Sequence, residues 1–122
     1  MITAGFGFRK AATMASLQDA LSQAAGSGRP DVLASLERKA GSDCLMALAQ
    51  SLSLPIVPIP DGQIRGVGTL TQSPRIDRAF ATGSVAEAVA LAAAGPGARL
   101  LGARCVSADR MATVALAIGA DT

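Results

Sequence analysis

Short apolar runs alternate along this chain with stretches of helical periodicity, which is typical of an α/β fold. Residues 2–6 form an apolar run that predicts a first strand, and residues 31–38 place apolar side chains at alternate positions and predict a second. Two amphipathic segments predict helices after these strands, the first with Leu17, Ala20, Leu21 and Ala24 on one face and the second with Leu45, Leu48, Ala49 and Leu52.

Short polar residues indicate where the two helices begin. Thr13 or Ser16 is predicted to cap the first helix, and Ser16 with Asp19 has the spacing of a capping box. Ser42 or Asp43 is predicted to cap the second helix. Such side chains accept hydrogen bonds from the free N–H groups of a first helical turn, so the helices should begin close to these positions.

Proline and glycine shape the middle of the chain. Residues 54–59 are apolar but contain two prolines, which cannot donate to a ladder, so a short or edge strand is predicted. Residues 60–72 contain three glycines and are typical of a long loop. Ser73-Pro74 predicts the start of a short helix, and Ser84 with Glu87 predicts a second capping box ahead of the small apolar helix face at 85–93.

The last third predicts a β-hairpin, because residues 99–105 and 111–118 are apolar or alternating around a polar turn at 107–110. Together these elements predict one three-layer α/β/α domain over residues 1–122, with a mixed, mostly parallel sheet that ends in an antiparallel hairpin. Ligands of open α/β sheets bind beyond the carboxyl ends of strands, where residues 5–10 and the 60–72 loop would both lie.

Composition limits the chemistry available to a domain of 122 residues with a net charge of +2. It contains no His, Tyr or Trp, and Cys44 and Cys105 lack metal-ligand spacing, so we expect reduced thiols, no metal and no cofactor. No apolar stretch is long enough to span a membrane, and charge and aromatic content are too low for nucleic-acid binding. The first residues carry no export signal, so we expect a cytoplasmic protein.

The first strand ends in two glycines and two cations, at Gly5, Gly7, Arg9 and Lys10. Positive charge next to a helix N-terminus favours anion binding, although solvated charges or an ion pair would also account for Arg9 and Lys10. As a dinucleotide fingerprint the stretch is incomplete, because the third glycine and the acidic residue of the next strand are missing.

Three segments resemble the CobE proteins of cobalamin biosynthesis and the similar C-terminal domain of the CbiG proteins. The first is residues 5–10, and the second is Thr82-Gly83-Ser84-Val85-Ala86-Glu87-Ala88-Val-Ala90-Leu91. The third is residues 100–104 followed by the Ala112-Thr-Val-Ala-Leu-Ala117 closing strand. Phe8 stands where the family often has Cys, Ala11 where it often has Gly, and Arg104 where it usually has Lys. Arginine keeps the charge of lysine but excludes amine nucleophile chemistry.

The resemblance implies work on corrin-ring precursors of vitamin B12, which carry many carboxylates around a flat apolar macrocycle. Guanidinium groups match carboxylates geometrically, and the segment between Asp61 and Ser84 carries a cationic excess from Arg65, Arg75 and Arg78, although the last two would also suit a solvated helix face. We therefore predict a substrate-binding site that contains Gly5, Gly7, Arg9, Lys10, Arg65, Thr82, Gly83, Ser84 and Arg104.

Two classes of function remain open, and other cobalamin-pathway enzymes are possible partners in both. In the first, the protein binds a polycarboxylate corrinoid as a carrier or accessory factor. In the second, it is a hydrolase that opens the ring-A δ-lactone of a precorrin-5-type intermediate and releases acetaldehyde, with Glu87 or Asp109 as the candidate general base. A nucleotide- or phosphate-binding module is a third alternative. The lack of a nucleophile and base pair favours binding.

Overall fold

The computed structural model describes residues 1–72 and 84–120. Its strands are β1 (Ile2–Phe8), β2 (Val32–Leu36), β3 (Ile56–Ile59), β4 (Arg99–Leu100), β5 (Cys105–Val106) and β6 (Ala112–Ile118). Its α-helices are α1 (Met14–Ala24), α2 (Asp43–Leu52) and α3 (Val85–Ala94). The short helix predicted at Ser73-Pro74 lies outside these residues.

The six strands form one mixed sheet in the order β3-β2-β1-β6-β4, and β5 also pairs with β6. β1, β2 and β3 are parallel to one another, whereas β6 is antiparallel to β1, β4 and β5. It follows that β6 alone runs against the others, so the prediction of a mixed, mostly parallel sheet with an antiparallel hairpin is confirmed. β3 is an edge strand, as its prolines predicted.

The helices cover both faces of the sheet and make the three layers that the sequence predicted. α1 and α2 pack on one face against a cluster that includes Phe6, Leu33 and Val114. α3 packs on the other face against smaller residues such as Ala34 and Ala115. Each fully buried large apolar side chain of these clusters contributes about 1.5–3 kcal/mol relative to exposure.

Gly5 explains how α3 comes so close to β1. A Cβ atom built on Gly5 would lie 2.3 Å from the backbone oxygen of Ala86 and 2.5 Å from the backbone nitrogen of Ala90. Only glycine leaves room for a helix backbone at this distance. The small residues of α3 therefore act together with Gly5 to bring the helix onto the middle of the sheet.

The helix starts match the predicted positions, with one correction to their hydrogen bonds. Thr13 and Ser42 are the N-caps of α1 and α2. The capping box of α1 joins Thr13 to Ser16, and the predicted pair of Ser16 with Asp19 is wrong, because Ser16 lies at the third helical position. The Asp19 carboxylate instead accepts from the backbone N–H of Ala108 at 2.6 Å.

The 60–72 loop begins with a 3₁₀ turn at Asp61–Gln63, and the side chain of Ile64 in it is completely buried. The polar turn of the β5–β6 hairpin places Arg110 in the left-handed region, at φ 61°. Across residues 1–72 and 84–120, no helix is both long enough and apolar enough to cross a membrane.

Candidate functional site

An open cavity of about 450 Å³ lies at the edge of the sheet where β1 and β2 end and β6 begins. β1 and β2 are parallel neighbours, and β6 is antiparallel to β1, so the turn before β6 reaches the same edge as the carboxyl ends of the other two. The sheet topology therefore brings segments that are distant in sequence to one place, as expected for a ligand site in an open α/β sheet.

Positive charge dominates the walls of this cavity, which we call the basic cavity. Arg9 follows β1, Arg38 and Lys39 follow β2, and two further cations come from the last third of the chain. None of the described residues that line it is acidic. The full cationic set is Arg9, Arg38, Lys39, Arg104 and Arg110.

Apolar side chains lie between these cations and give the cavity a mixed surface. They are Phe6, Phe8, Leu36, Val85, Val106, Met111 and Ala112. The ammonium group of Lys39 lies 5.1 Å from the centroid of the Phe8 ring, a cation–π contact. Arg38 forms an exposed ion pair with Asp61 at 3.6 Å, which connects the cavity wall to the 3₁₀ turn.

The N-terminus of α3 forms part of the same wall. Val85, the first residue of α3, lines the cavity, and the buried Ser84 side chain caps the helix by accepting from the N–H of Glu87 at 3.4 Å. Gly7 also lines the cavity, and a Cβ on it would lie 3.1 Å from the Thr113 hydroxyl. A helix N-terminus carries partial positive charge, so it adds to the attraction for an anion.

The structure brings some of the predicted site residues together and separates others. Gly7, Arg9 and Arg104 line the basic cavity, and Ser84 lies beside it as the cap of α3. Gly5 is buried under α3, where its role is the close packing described above. Lys10 and Arg65 are exposed and do not line the cavity. Thr82 and Gly83, with Arg75 and Arg78, lie outside the described residues.

Sequence reasoning missed Arg38, Lys39 and Arg110 as cavity residues. A signal for the first two was available, because they follow the second parallel strand just as Arg9 follows the first. Arg110 could not be found in this way, because it precedes its strand, and only the reversed direction of β6 brings it to this edge. Arg104 also differs slightly from expectation: it lies just before β5 and not inside a strand.

Glu87 is a fully buried carboxylate in the first turn of α3. Its Oε1 accepts from the backbone N–H of Thr71 at 2.7 Å, and its Oε2 accepts from the Thr71 hydroxyl at 2.5 Å and from the backbone N–H of Arg104 at 2.7 Å. The predicted capping box is thus only half present, since Ser84 caps the helix but the Glu87 side chain bonds to other segments.

Asp109 is the other candidate general base, and it is also engaged structurally. Hydrogen bonds from the hydroxyl of Ser107 and then from that of Ser16, with the backbone N–H of Met111, hold the pKa of Asp109 below its usual value. The bond from Ser16 connects the β5–β6 turn to α1, and the other two lie within the turn. Neither Asp109 nor Glu87 lines the basic cavity.

Metal-binding chemistry has no cluster to support it in residues 1–72 and 84–120, where no group of three His, Cys, Asp or Glu side chains comes together. Cys44 and Cys105 are free and half-buried. Burial raises the pKa of the Cys44 thiol.

A second cavity, of about 440 Å³, lies at the opposite edge of the sheet. It is formed where α1 and α2 end, by segments that lead into β2 and β3. It is lined by Leu21, Leu48, Leu52 and Leu54, and Arg29 is the one charged residue among the described residues that line it. We call it the apolar cavity.

Comparison with known proteins identifies a family whose members share this fold. Residues 2–117 match the family model described as Cobalamin synthesis G C-terminus. A search of curated proteins gave no match.

Two crystal structures are similar to the chain over nearly its whole length. The first is CobE, a protein from the cobalamin (vitamin B12) biosynthetic pathway, with 32% identity and a TM-score of 0.80, covering 96% of this chain and 89% of that one. The second is the cobalamin biosynthesis protein chiG from Agrobacterium tumefaciens str. C58, with 32% identity and a TM-score of 0.77, covering 99% of this chain and 100% of that one.

Proposed function

We propose a function from one premise: this chain belongs to the cobalamin synthesis G C-terminal family and is therefore a cobalamin biosynthesis protein. The proposal is that it binds a precorrin-type corrinoid. The ligand would be a polycarboxylate intermediate held in the basic cavity. The protein would act as a carrier or accessory factor, as one domain over residues 1–122 in the cytoplasm.

The observation that carries this proposal is the composition of the cavity wall. Five cations and the start of a helix surround an apolar surface, and no described lining residue is acidic. This combination suits a flat apolar ring with carboxylates along its edge, because the ring can contact Phe8 and Met111 while the acids meet guanidinium groups. Hydrogen bonds to charged groups of this kind contribute about 1.5–3 kcal/mol each.

The open shape of the cavity supports transfer rather than sequestration. A volume of about 450 Å³ accommodates one edge of a corrin ring with its acid side chains, and the rest of the ring would stay outside. An exposed remainder could be taken up by a pathway enzyme while the first edge is still held. We propose such enzymes as the protein partners.

Binding is favoured over hydrolysis by the state of the two carboxylates. Glu87 is enclosed by three donors, and Asp109 accepts from Ser107, Ser16 and Met111, so neither faces a ligand in the basic cavity. A general base must reach the proton it removes. We therefore propose ligand binding as the function and keep lactone opening as the alternative.

An absorbance titration with a hydrogenobyrinic-acid-type corrinoid tests the proposal. We expect a saturable spectral change for the native protein, and about a tenfold weaker affinity for Arg9→Ala and for Arg104→Ala, since each removes one charge-assisted contact. Arg65→Ala is the matched control, because Arg65 is an exposed arginine that does not line the cavity.

No spectral change at high micromolar corrinoid would refute the proposal, and equal losses in all three variants would place the ligand elsewhere. A thermal-shift panel of nucleotides and inorganic phosphate in parallel identifies the anion class. Stabilisation by nucleotides without any response to corrinoid would favour a phosphate-binding module.

A further inference from the structure

The backbone around Arg104 has few hydrogen bonds of its own within the sheet. Arg104 lies between the two-residue strands β4 and β5. Within the part of the chain that the structure describes, the intervening residues 101–104 make one backbone hydrogen bond to the sheet, from the Leu101 N–H to the Leu116 oxygen at 2.9 Å. The Arg104 N–H donates instead to the Glu87 carboxylate. A side chain on a helix thus holds the main chain that carries a cavity arginine.

Glu87 itself is held rigidly by its helix. α3 approaches β1 so closely that Gly5 has no room for a Cβ, and Ser84 caps the first turn from which Glu87 projects. The carboxylate is fully buried and meets three donors from two segments, at Thr71 and Arg104. A buried carboxylate with all its partners fixed is far less free to move than an exposed one.

Burying the Glu87 carboxylate costs solvation free energy, and helix packing does not require a carboxylate at this position. An apolar residue would pack as well at this position of α3, but it would leave the N–H groups of Thr71 and Arg104 without acceptors. Among residues 1–72 and 84–120 no cation forms an ion pair with Glu87, and its carboxylate accepts there from two backbone N–H groups and one hydroxyl. The arrangement therefore serves the two segments that it joins.

From this geometry we infer that Glu87 is a positioning residue for the basic cavity: it fixes the main chain at Arg104, and through it the guanidinium group, and it ties the loop end at Thr71 to the same point. The inference rests on the proposed function for its effect on affinity. It stands on its own for its effect on the mobility of Arg104.

A double-mutant cycle separates positioning from general stability. Glu87→Gln keeps the size of the side chain but removes its charge and turns one acceptor into a donor. The Arg104 N–H then either faces the amide NH₂ or donates to a neutral amide oxygen, so its hydrogen bond is weaker in both orientations. We expect about a tenfold loss of corrinoid affinity from this change in the native background, and less than about a twofold loss in the Arg104→Ala background, because Glu87 acts through Arg104.

Asp31→Asn is the matched control for that cycle. Asp31 also accepts from a backbone N–H through its carboxylate, that of Ile2 at 2.7 Å, but it lies outside the basic cavity. We expect its affinity to match that of the native protein. Equal losses from Glu87→Gln in both backgrounds, or a loss in Asp31→Asn as large as in Glu87→Gln, would overturn the inference.

Amide hydrogen exchange measured by NMR without ligand provides a second readout. Glu87→Gln should speed exchange of the Arg104 N–H at least tenfold more than that of strand amides in β1, whereas a merely structural role would speed all of them together. If Glu87→Gln does not fold, Thr71→Val removes only the hydroxyl donor and should show the same pattern at a few-fold magnitude.

The two readouts keep the inference apart from the proposed function. A native protein that shows no corrinoid response refutes the function, and the exchange data then decide the role of Glu87 alone. Selective exchange at Arg104 would uphold that role, and uniform exchange would end it.

Discussion

The two cavities of this protein are nearly equal in size and opposite in chemistry. The basic cavity measures about 450 Å³ and has five cations, whereas the apolar cavity measures about 440 Å³ and has Arg29 as its charged residue. They lie at opposite ends of the same sheet. The difference shows that the chemistry of each cavity depends on the residues that flank the strands at that end of the sheet, and not on cavity size.

The elements that build the two cavities explain this difference. Residues after β1 and β2 and before β6 form the basic cavity, and turns of this kind carry polar side chains without disturbing the core. The apolar cavity is lined by the ends of α1 and α2, whose inward faces must stay apolar to pack on the sheet. The leucines that line the apolar cavity are therefore continuous with the hydrophobic core.

Gly5→Ala should have the largest effect of the substitutions proposed here, and it acts through α3, whose first residue lines the basic cavity. The new Cβ would meet the backbone of α3 at 2.3 Å from the Ala86 oxygen, and backbone cannot rotate away as a side chain can. We expect a loss of about 3 kcal/mol in the free energy of unfolding, measured by urea denaturation. Gly41→Ala is the control, since a Cβ there meets nothing within 4 Å, and an equal loss in both would contradict the packing role of Gly5.

Charge reversal at one cavity or the other tests the contrast directly. Arg110→Glu places an acid at the rim of the basic cavity, so corrinoid affinity should fall about tenfold in the absorbance titration. Arg29→Glu makes the same change at the apolar cavity and should leave affinity unchanged. Reversed results for the two variants would move the ligand to the opposite edge of the sheet.

Ionic strength gives a smaller effect whose sign is informative. Raising sodium chloride from about 0.1 M to about 1 M shortens the screening length from about 10 Å to about 3 Å. Binding through the cations of the basic cavity should weaken several-fold in the same titration. Binding governed by apolar burial would not weaken, so an unchanged or higher affinity would point to the apolar cavity.

Acid should loosen the turn that carries Arg110, with the smallest effect on the whole protein. The pKa of Asp109 is lowered in the folded state, so its hydrogen bonds stabilise the fold at any pH above the unfolded value of about 3.9 and are lost as pH falls through the folded value. The melting temperature of Asp109→Asn should lie below that of the native protein at pH 7, and the gap should narrow below about pH 4 as the native carboxylate is protonated. A gap that stays the same down to the acid limit of folding would contradict this account.

Much of the fold was predictable because it depends on local patterns. Apolar runs and periodic segments indicated the strands and helices, the prolines near 54–59 indicated an edge strand, and the polar turn at 107–110 indicated the hairpin. No single segment of the sequence indicates the order of the strands in the sheet. β6 lies between β1 on one side and β4 and β5 on the other, and long-range packing decides this position.

The site was predictable only in part, for the same reason. Arg9 was predicted from its place after the first strand and Arg104 from the family resemblance, but the inclusion of Arg110 depends on the direction of β6. Gly5 was expected near a ligand, yet its position in the sheet places it under α3. Glu87 fitted a local capping pattern, and the distant donors at Thr71 and Arg104 could not be inferred from spacing.

The reversed direction of β6 has a consequence for how binding preferences could diverge in such a protein. The hairpin turn at residues 107–110 is short and exposed at its tip, and it reaches the basic cavity from the antiparallel half of the sheet. An insertion there would reshape one rim and leave the β1–β2–β3 frame intact. The turn is therefore a suitable position for inserted residues that change the shape and charge of the basic cavity.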